Sequence, residues 1–256
     1  MSTAADTLRA HLAQVEHLRD TARTAPAPLA QALAGVRSVQ VRRFHATYAD
    51  FLDSPRHGQA AQFFLTELYG SHDYRERDAQ FARIAGAIER LFPAKVMTLA
   101  LQLAEVHALT ESLDWQLALA WADQGPLPAT AAPQQLAARY LAGWRQVGRT
   151  TDRDRQLRAV MALGWHLAEV VRIPGLRMAL RLMRRPAQAA GLAALQTVLE
   201  NGFDAFTSMG EPHSFLDEVQ RRESDWIAHF FSAPLPEAVQ RLGAALQGTA
   251  DPHAPV

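Results

Sequence analysis

The chain has 256 residues, with 26 basic against 26 acidic side chains, 48% hydrophobic residues and no cysteine. These figures exclude a disulfide-stapled scaffold, thiol catalysis, a zinc site built on thiolates and a highly charged disordered chain. A folded chain of this size hides roughly 75% of the surface its unfolded form exposes, so it can form a full core without metal or crosslinks.

Lys95 is the single lysine among the 26 basic residues, so all the others are arginine and any Schiff-base chemistry would have to use that one position. The first residues carry no basic segment followed by an apolar run, and Asp6, Glu16 and Asp20 do not suit a transit peptide. No stretch approaches the 18 or more apolar residues of a membrane span. The expectation is a cytoplasmic protein without a membrane span.

Helical periodicity runs through almost the whole chain, and strand and hairpin signals are weak. A first helix is expected over about 4–22, with Leu8, Leu12, Val15 and Leu18 on one stripe before Pro26 and Pro28. A second covers about 29–52, carries Leu33, Gln40, Phe44, Tyr48 and Phe51, and stops at Asp53-Ser54-Pro55. A third spans about 59–69, with Gly70 as its closing residue. A fourth begins near Asp73, whose spacing to Glu76 is that of a capping box, and shows Phe81, Ile84, Ile88 and Leu91 on one face up to Pro93.

The fifth helix, about 94–122, is the longest. Val96, Leu99, Leu103, Val106, Leu113 and Leu117 follow a near-heptad spacing that places it at the centre. After the linker come helices over about 134–147 and 152–171, a break at Ile173-Pro174-Gly175, and a short helix to Arg185. Pro186 is then expected to open a helix reaching Met209, followed by one over 213–231 and a last one to Leu246. The fold class is all-α: a multi-helix bundle of about ten mostly antiparallel helices with no significant sheet. It reads as a single domain over 1–256, or as two docked halves (1–123 and 134–248) joined by the Pro-rich linker 124–133, with a frayed tail at 249–256.

The segment Phe63-Phe64-Leu65-Thr66-Glu67-Leu68-Tyr69, with the later stretches Leu103–Leu109 and Leu180–Ala187, resembles an uncharacterised bacterial family named for an FFLEELY motif. Thr66 stands where that motif has Glu. The resemblance implies no activity, cofactor or functional residue. The motif residues themselves read as buried helix surface.

No phosphate loop, dinucleotide fingerprint, zincin helix, EF-hand or nucleophile elbow is present. On the fifth helix, His107, Glu111 and Asp114 project close together beside the apolar stripe. A histidine and two carboxylates facing a bundle interior suit a metal or proton-transfer site. The Glu-x-x-His spacing of di-metal bundles is missing, and the commoner meaning of such groups is an interhelical hydrogen-bond network. His166 is expected to face outward, His45 to flank a possible pocket, and His57 and His72 to lie at loop ends.

Between 170 and 199 there is no acid, while Arg172, Arg177, Arg181, Arg184 and Arg185 supply positive charge. Arg177, Arg181, Arg184 and Arg185 share one helical face that would suit an anionic partner, or would simply be solvated and neutralised by acids such as Asp152, Asp154, Glu218 or Glu223. The neutral overall balance weighs against nucleic acid. The aromatics Phe203, Phe206, Phe215, Trp226, Phe230 and Phe231 read mostly as core, with Phe230-Phe231 a candidate subunit anchor.

The leading functional expectation is a non-enzymatic helical interaction protein with an arginine-rich face, binding an unknown protein or anionic partner, or a second copy of itself as a homodimer. The alternative is a helical-bundle metal- or cofactor-binding enzyme using His107, Glu111 and Asp114. No particular cofactor is implied.

Overall fold

The computed structural model describes residues 3–69, 75–91, 94–128 and 130–248, and all its regular structure is helical. Among the described residues there are twelve helices. They are α1 (Ala4–Arg23), α2 (Ala27–Thr47), α3 (Ala49–Leu52), α4 (Gly58–Tyr69), α5 (Arg75–Leu91), α6 (Ala94–Ala122), α7 (Pro133–Val147), α8 (Thr150–Val170), α9 (Leu176–Ala189), α10 (Ala193–Met209), α11 (His213–Ser232) and α12 (Leu235–Gln247). The expected closing residue Gly70, the expected start at Asp73, the loop residue His72 and the tail 249–256 lie outside the described residues, as do the side chains of Ile88 and Leu91.

Local chemistry explains most of the boundaries. Thr3 caps α1 reciprocally: its Oγ1 accepts from the Asp6 N–H at 3.1 Å, and Asp6 accepts from the Thr3 N–H at 3.2 Å. Prolines occupy the first turns of α2, α7 and α12, where a missing N–H costs nothing. The linker after α6 is tied down by Arg139, which donates to the carbonyls of Gln124, Gly125 and Pro126.

Two expected elements are drawn differently, and the first of these differences adds a helix. The second helix breaks at Tyr48, which has φ −116° and ψ 20°, and α3 resumes beyond it. Pro186 does not open a helix but lies inside α9. The break falls instead at Gly191, with φ 66°, where the Leu192 N–H reaches the Ala187 carbonyl and the Gly191 N–H that of Gln188. This is the Schellman closure that glycine's left-handed conformation permits. The carbonyl that Pro186 leaves without a donor belongs to the exposed residue Leu182, where water can satisfy it.

α6 occupies the centre, as its apolar spacing suggests, and packs against α1, α2, α5, α7 and α8. Its N-terminal half joins a core with α1, α5 and Leu195 of α10, through Met97, Ala100 and Ala104. Its C-terminal half joins a second core through Leu117, Ala118 and Trp121, with Val36 of α2, Leu141 of α7, Trp226 of α11 and Leu242 of α12. That second core therefore draws on both sides of the linker. A third core gathers Ala60, Met161, Phe206, Met209, Phe215 and Leu216 from α4, α8, α10 and α11. Phe230 is buried in the second core and Phe231 packs against it, so this pair is internal packing and not an exposed subunit anchor.

Gly58 positions α4, which supplies part of the wall described below. A Cβ added there would lie 2.7 Å from the backbone carbonyl oxygen of Leu52. Gly58→Ala is expected to lower stability by about 1–3 kcal/mol, because the obstacle is main chain and cannot rotate away. Urea denaturation followed by circular dichroism measures this, and an unchanged midpoint would show that the α3–α4 junction yields freely.

Candidate functional site

The apolar cores do not meet at the middle of the bundle. The gap between them is a cavity of about 80 Å³. At roughly 10–15 Å³ per water-sized site, it has room for about five to eight non-hydrogen atoms. One side is apolar: Phe64 and Leu65 of α4, Val160 of α8, and Phe215 and Val219 of α11. The other side is polar: Gln40, Arg43 and Tyr48 from the α2–α3 segment, Asp114 of α6, Tyr140 of α7, Arg153 and Gln156 of α8, and Glu223 of α11. Leu157 of α8 and Val219 and Ile227 of α11 line it while remaining half-exposed, which puts its mouth between those two helices.

The charged wall groups are held by their neighbours. The buried Arg43 donates from Nη1 to Glu223 Oε1 at 2.5 Å, and the Tyr48 hydroxyl donates to the same oxygen at 2.7 Å. The Arg43 guanidinium also lies 3.7 Å from the centre of the Phe44 ring. Burial weighs against the Arg43 charge, but adjacent Glu223 more than restores it, so its pKa stands above the ordinary arginine value.

Across the cavity, Gln40 donates to Asp114 at 2.7 Å, Arg153 donates to Gln156 at 3.1 Å, and Gln156 donates to Thr110 at 2.8 Å. Arg153 sits 3.9 Å from the centre of the Trp144 ring. Burial pushes the Asp114 carboxyl above its usual range, with Arg153 and Arg37 pulling the other way. Burial likewise pushes the Tyr140 hydroxyl up to about 12. Trp144 Nε1 is buried and has no hydrogen-bond partner among the described residues. A buried donor without an acceptor is costly, and it marks where an unseen acceptor belongs.

The three α6 residues singled out from the sequence enter different networks. Only Asp114 reaches the cavity. His107 is buried, with both ring nitrogens 3.3–3.4 Å from Arg77 Nη2. Glu111 accepts from Arg19 at 3.0 Å and from Arg37 at 2.6 Å. Arg19 also reaches Asp78 at 2.7 Å, and Arg77 holds the same carboxylate at 3.0 Å. His107, Arg77, Asp78, Arg19, Glu111 and Arg37 thus form a ladder linking α6 to α5, α1 and α2. Among the described residues, no group of three or more His, Asp or Glu is placed to hold a metal ion. His166 is half-buried, with Nδ1 2.8 Å from Gln102 Oε1, and so does not face open solvent as expected. α8 packs on α6 closely enough to cover it.

The arginine segment is exposed, as a docking face would require. Arg177 pairs with Asp204 at 2.8 Å, Arg184 with Glu200 at 2.6 Å, and Arg172 with Glu211 at 3.8 Å. Its counter-charges therefore come from α10 and the turn after it, and not from Asp152, Asp154, Glu218 or Glu223. Arg181 and Arg185 form no ion pair among the described residues.

The wall residues Arg43, Tyr48, Tyr140, Trp144, Arg153 and Glu223 carry no motif spacing, and their signal in the sequence is faint. Gln40 and Tyr48 fall on the apolar stripe of the second helix, where a polar side chain must find a buried partner.

A family model described as a domain of unknown function, DUF8198, matches residues 19–235. The chain belongs to that family. The DUF8198 region includes every residue lining the cavity and the whole polar ladder, and it ends where α12 begins. No curated protein and no solved structure matches the chain. The DUF8198 family supplies a membership and no activity.

Removing one partner of a buried ion pair leaves the other charge stranded. Glu223→Ala is expected to cost about 3–5 kcal/mol in urea denaturation, and a loss below 1 kcal/mol would show that water reaches Arg43. Asp114 gives a test in pH. Burial raises its folded pKa above the ordinary carboxylate value, so the fold opposes its ionisation. Its contribution is most favourable below about pH 4 and declines as pH rises through the raised value. Asp114→Asn should therefore gain stability relative to the parent as pH climbs from about 4 to 8. A stability difference that stays flat over that range would count against a carboxyl held neutral by burial.

Proposed function

We propose that this DUF8198 protein is a receptor for a small organic molecule with an apolar body and a carboxylate or carbonyl head, bound in the central cavity. The observation that carries this reading is the central cavity itself, whose lining combines apolar side chains with the buried polar side chains of Arg43, Asp114, Arg153 and Glu223. Ligand sites have this character: mostly apolar lining with a few fixed polar groups.

The buried Arg153 guanidinium, stacked on the Trp144 ring and lining the cavity, favours an acceptor-bearing head. The opposite wall, including Phe64 and Leu65 from the segment that resembles FFLEELY, favours a short chain or a single ring. Glu223, Asp114 and Tyr140 are engaged or held protonated, which suits holding a ligand more than shuttling protons. Absence of cysteine is compatible with a cytoplasmic location.

A second reading, an interaction protein with an arginine-rich face, draws support from the exposed Met178 and Leu182 beside the arginines of α9.

Native mass spectrometry of the purified chain, with thermal-shift titration by butyrate, hexanoate and benzoate, tests the receptor reading. A bound small molecule, or a melting temperature that rises with ligand concentration, is expected. Arg153→Met should weaken binding by about tenfold, the worth of one charge-assisted hydrogen bond in a dry site. Val219→Phe, which fills the cavity, should abolish it. No bound molecule and no thermal shift with any of the three acids would overturn the reading.

A further inference from the structure

α9 stands apart from the rest of the bundle. Its principal packing partner is α10, onto which it turns the half-buried Leu176 and Leu180 and the buried Ala187. The pairs Arg177–Asp204 and Arg184–Glu200 clamp it there. The outward edge is left with Met178 at 68% exposure, Leu182 at 71% and Met183 at 46%. These are three of the five large hydrophobic side chains exposed among the described residues. Arg181 lies three residues from Met178 and Arg185 three from Leu182, one turn away in each case, so charge and apolar surface form adjoining rows. No acid interrupts 170–199.

We propose that α9 docks on an anionic phospholipid surface, embedding Met178, Leu182 and Met183 among the acyl chains while Arg181 and Arg185 hold headgroup phosphates. This extends the interaction-face reading and is independent of the cavity. An amphipathic helix with arginines flanking an apolar ridge matches the interface between headgroups and acyl chains. The ridge is made of two unbranched methionines and a leucine, all exposed. A soft surface accommodates such a ridge better than a rigid partner does. A second copy in antiparallel twofold pairing would set basic edge against basic edge. The cytoplasmic leaflet, by contrast, is negative and attracts arginine.

The test is cosedimentation of the full chain with phosphatidylcholine vesicles, with and without phosphatidylserine, alongside retention on a polyglutamate resin as the acidic-protein arm. Binding is expected only to the vesicles containing phosphatidylserine. Arg181→Ala and Arg185→Ala should each weaken it by roughly fivefold, and Leu182→Gln by roughly tenfold or more. Both sites are exposed, so circular dichroism should show an unchanged fold. Absence of binding to phosphatidylserine vesicles, equal binding to pure phosphatidylcholine, or indifference to Leu182→Gln overturns the proposal. Retention on polyglutamate without vesicle binding assigns the face to an acidic protein instead. Failure of both arms removes the interaction-face reading as well, and leaves the receptor reading untouched.

Discussion

The buried pair of Arg43 and Glu223 is the interaction around which the centre of this protein is arranged. It joins α2 to α11, and Tyr48 adds a second donor to the same carboxylate oxygen. Two charges removed from water are tolerable only where geometry is good and the remaining lone pairs and protons find partners. That requirement keeps the apolar cores from closing over one another, because the space beside the pair must stay lined with polar groups. The cavity follows from it: Phe44 and Leu65, Phe215 and Leu216, and Leu117 and Trp226 belong to three packed groups around the charges, the first two bridged by Phe51, Leu52 and Val219.

α6 applies the same constraint along its length. Its two ends are apolar and fill two cores, while its middle carries His107, Glu111 and Asp114. The side chains of that middle stretch reach three helices, His107 touching α5, Glu111 both α1 and α2, and Asp114 α2, so they fix how those helices are set around the central one. Arg19 shows the balance. Burial opposes its charge, and the carboxylates of Glu111 and Asp78 together outweigh the opposition. Such ladders contribute little net stability over an apolar core, and their usefulness lies in discriminating one packing from its alternatives.

α9 lies at the other extreme. It has little core of its own, is attached largely by surface ion pairs worth little each, and keeps an apolar ridge in solvent. A helix so weakly buried carries its chemistry outward, as the cavity carries its own inward. The two candidate sites thus differ in the physical term that governs them: desolvation in the cavity, and surface charge beside exposed methionine and leucine on α9.

The all-α class, the central place of α6 and most of the breaks were legible in the sequence by itself. They rest on local causes: the 3.6-residue spacing of apolar side chains, the Thr3 cap and the prolines of first turns. Local reasoning failed at Pro186 because whether a proline is tolerated depends on what its freed carbonyl faces. His107, Glu111 and Asp114 were legible as polar groups at the edge of the core, but their partners were not. Only the tertiary structure decided that Arg43 meets Glu223 across 180 residues, that Glu111 answers two arginines, and that Asp204 and Glu200 answer the arginines of α9. The reason is physical. Helix formation is settled within a few residues along the chain, whereas the partner of a buried charge is settled by which faces pack together, and in this chain several helix arrangements could have satisfied the same residues.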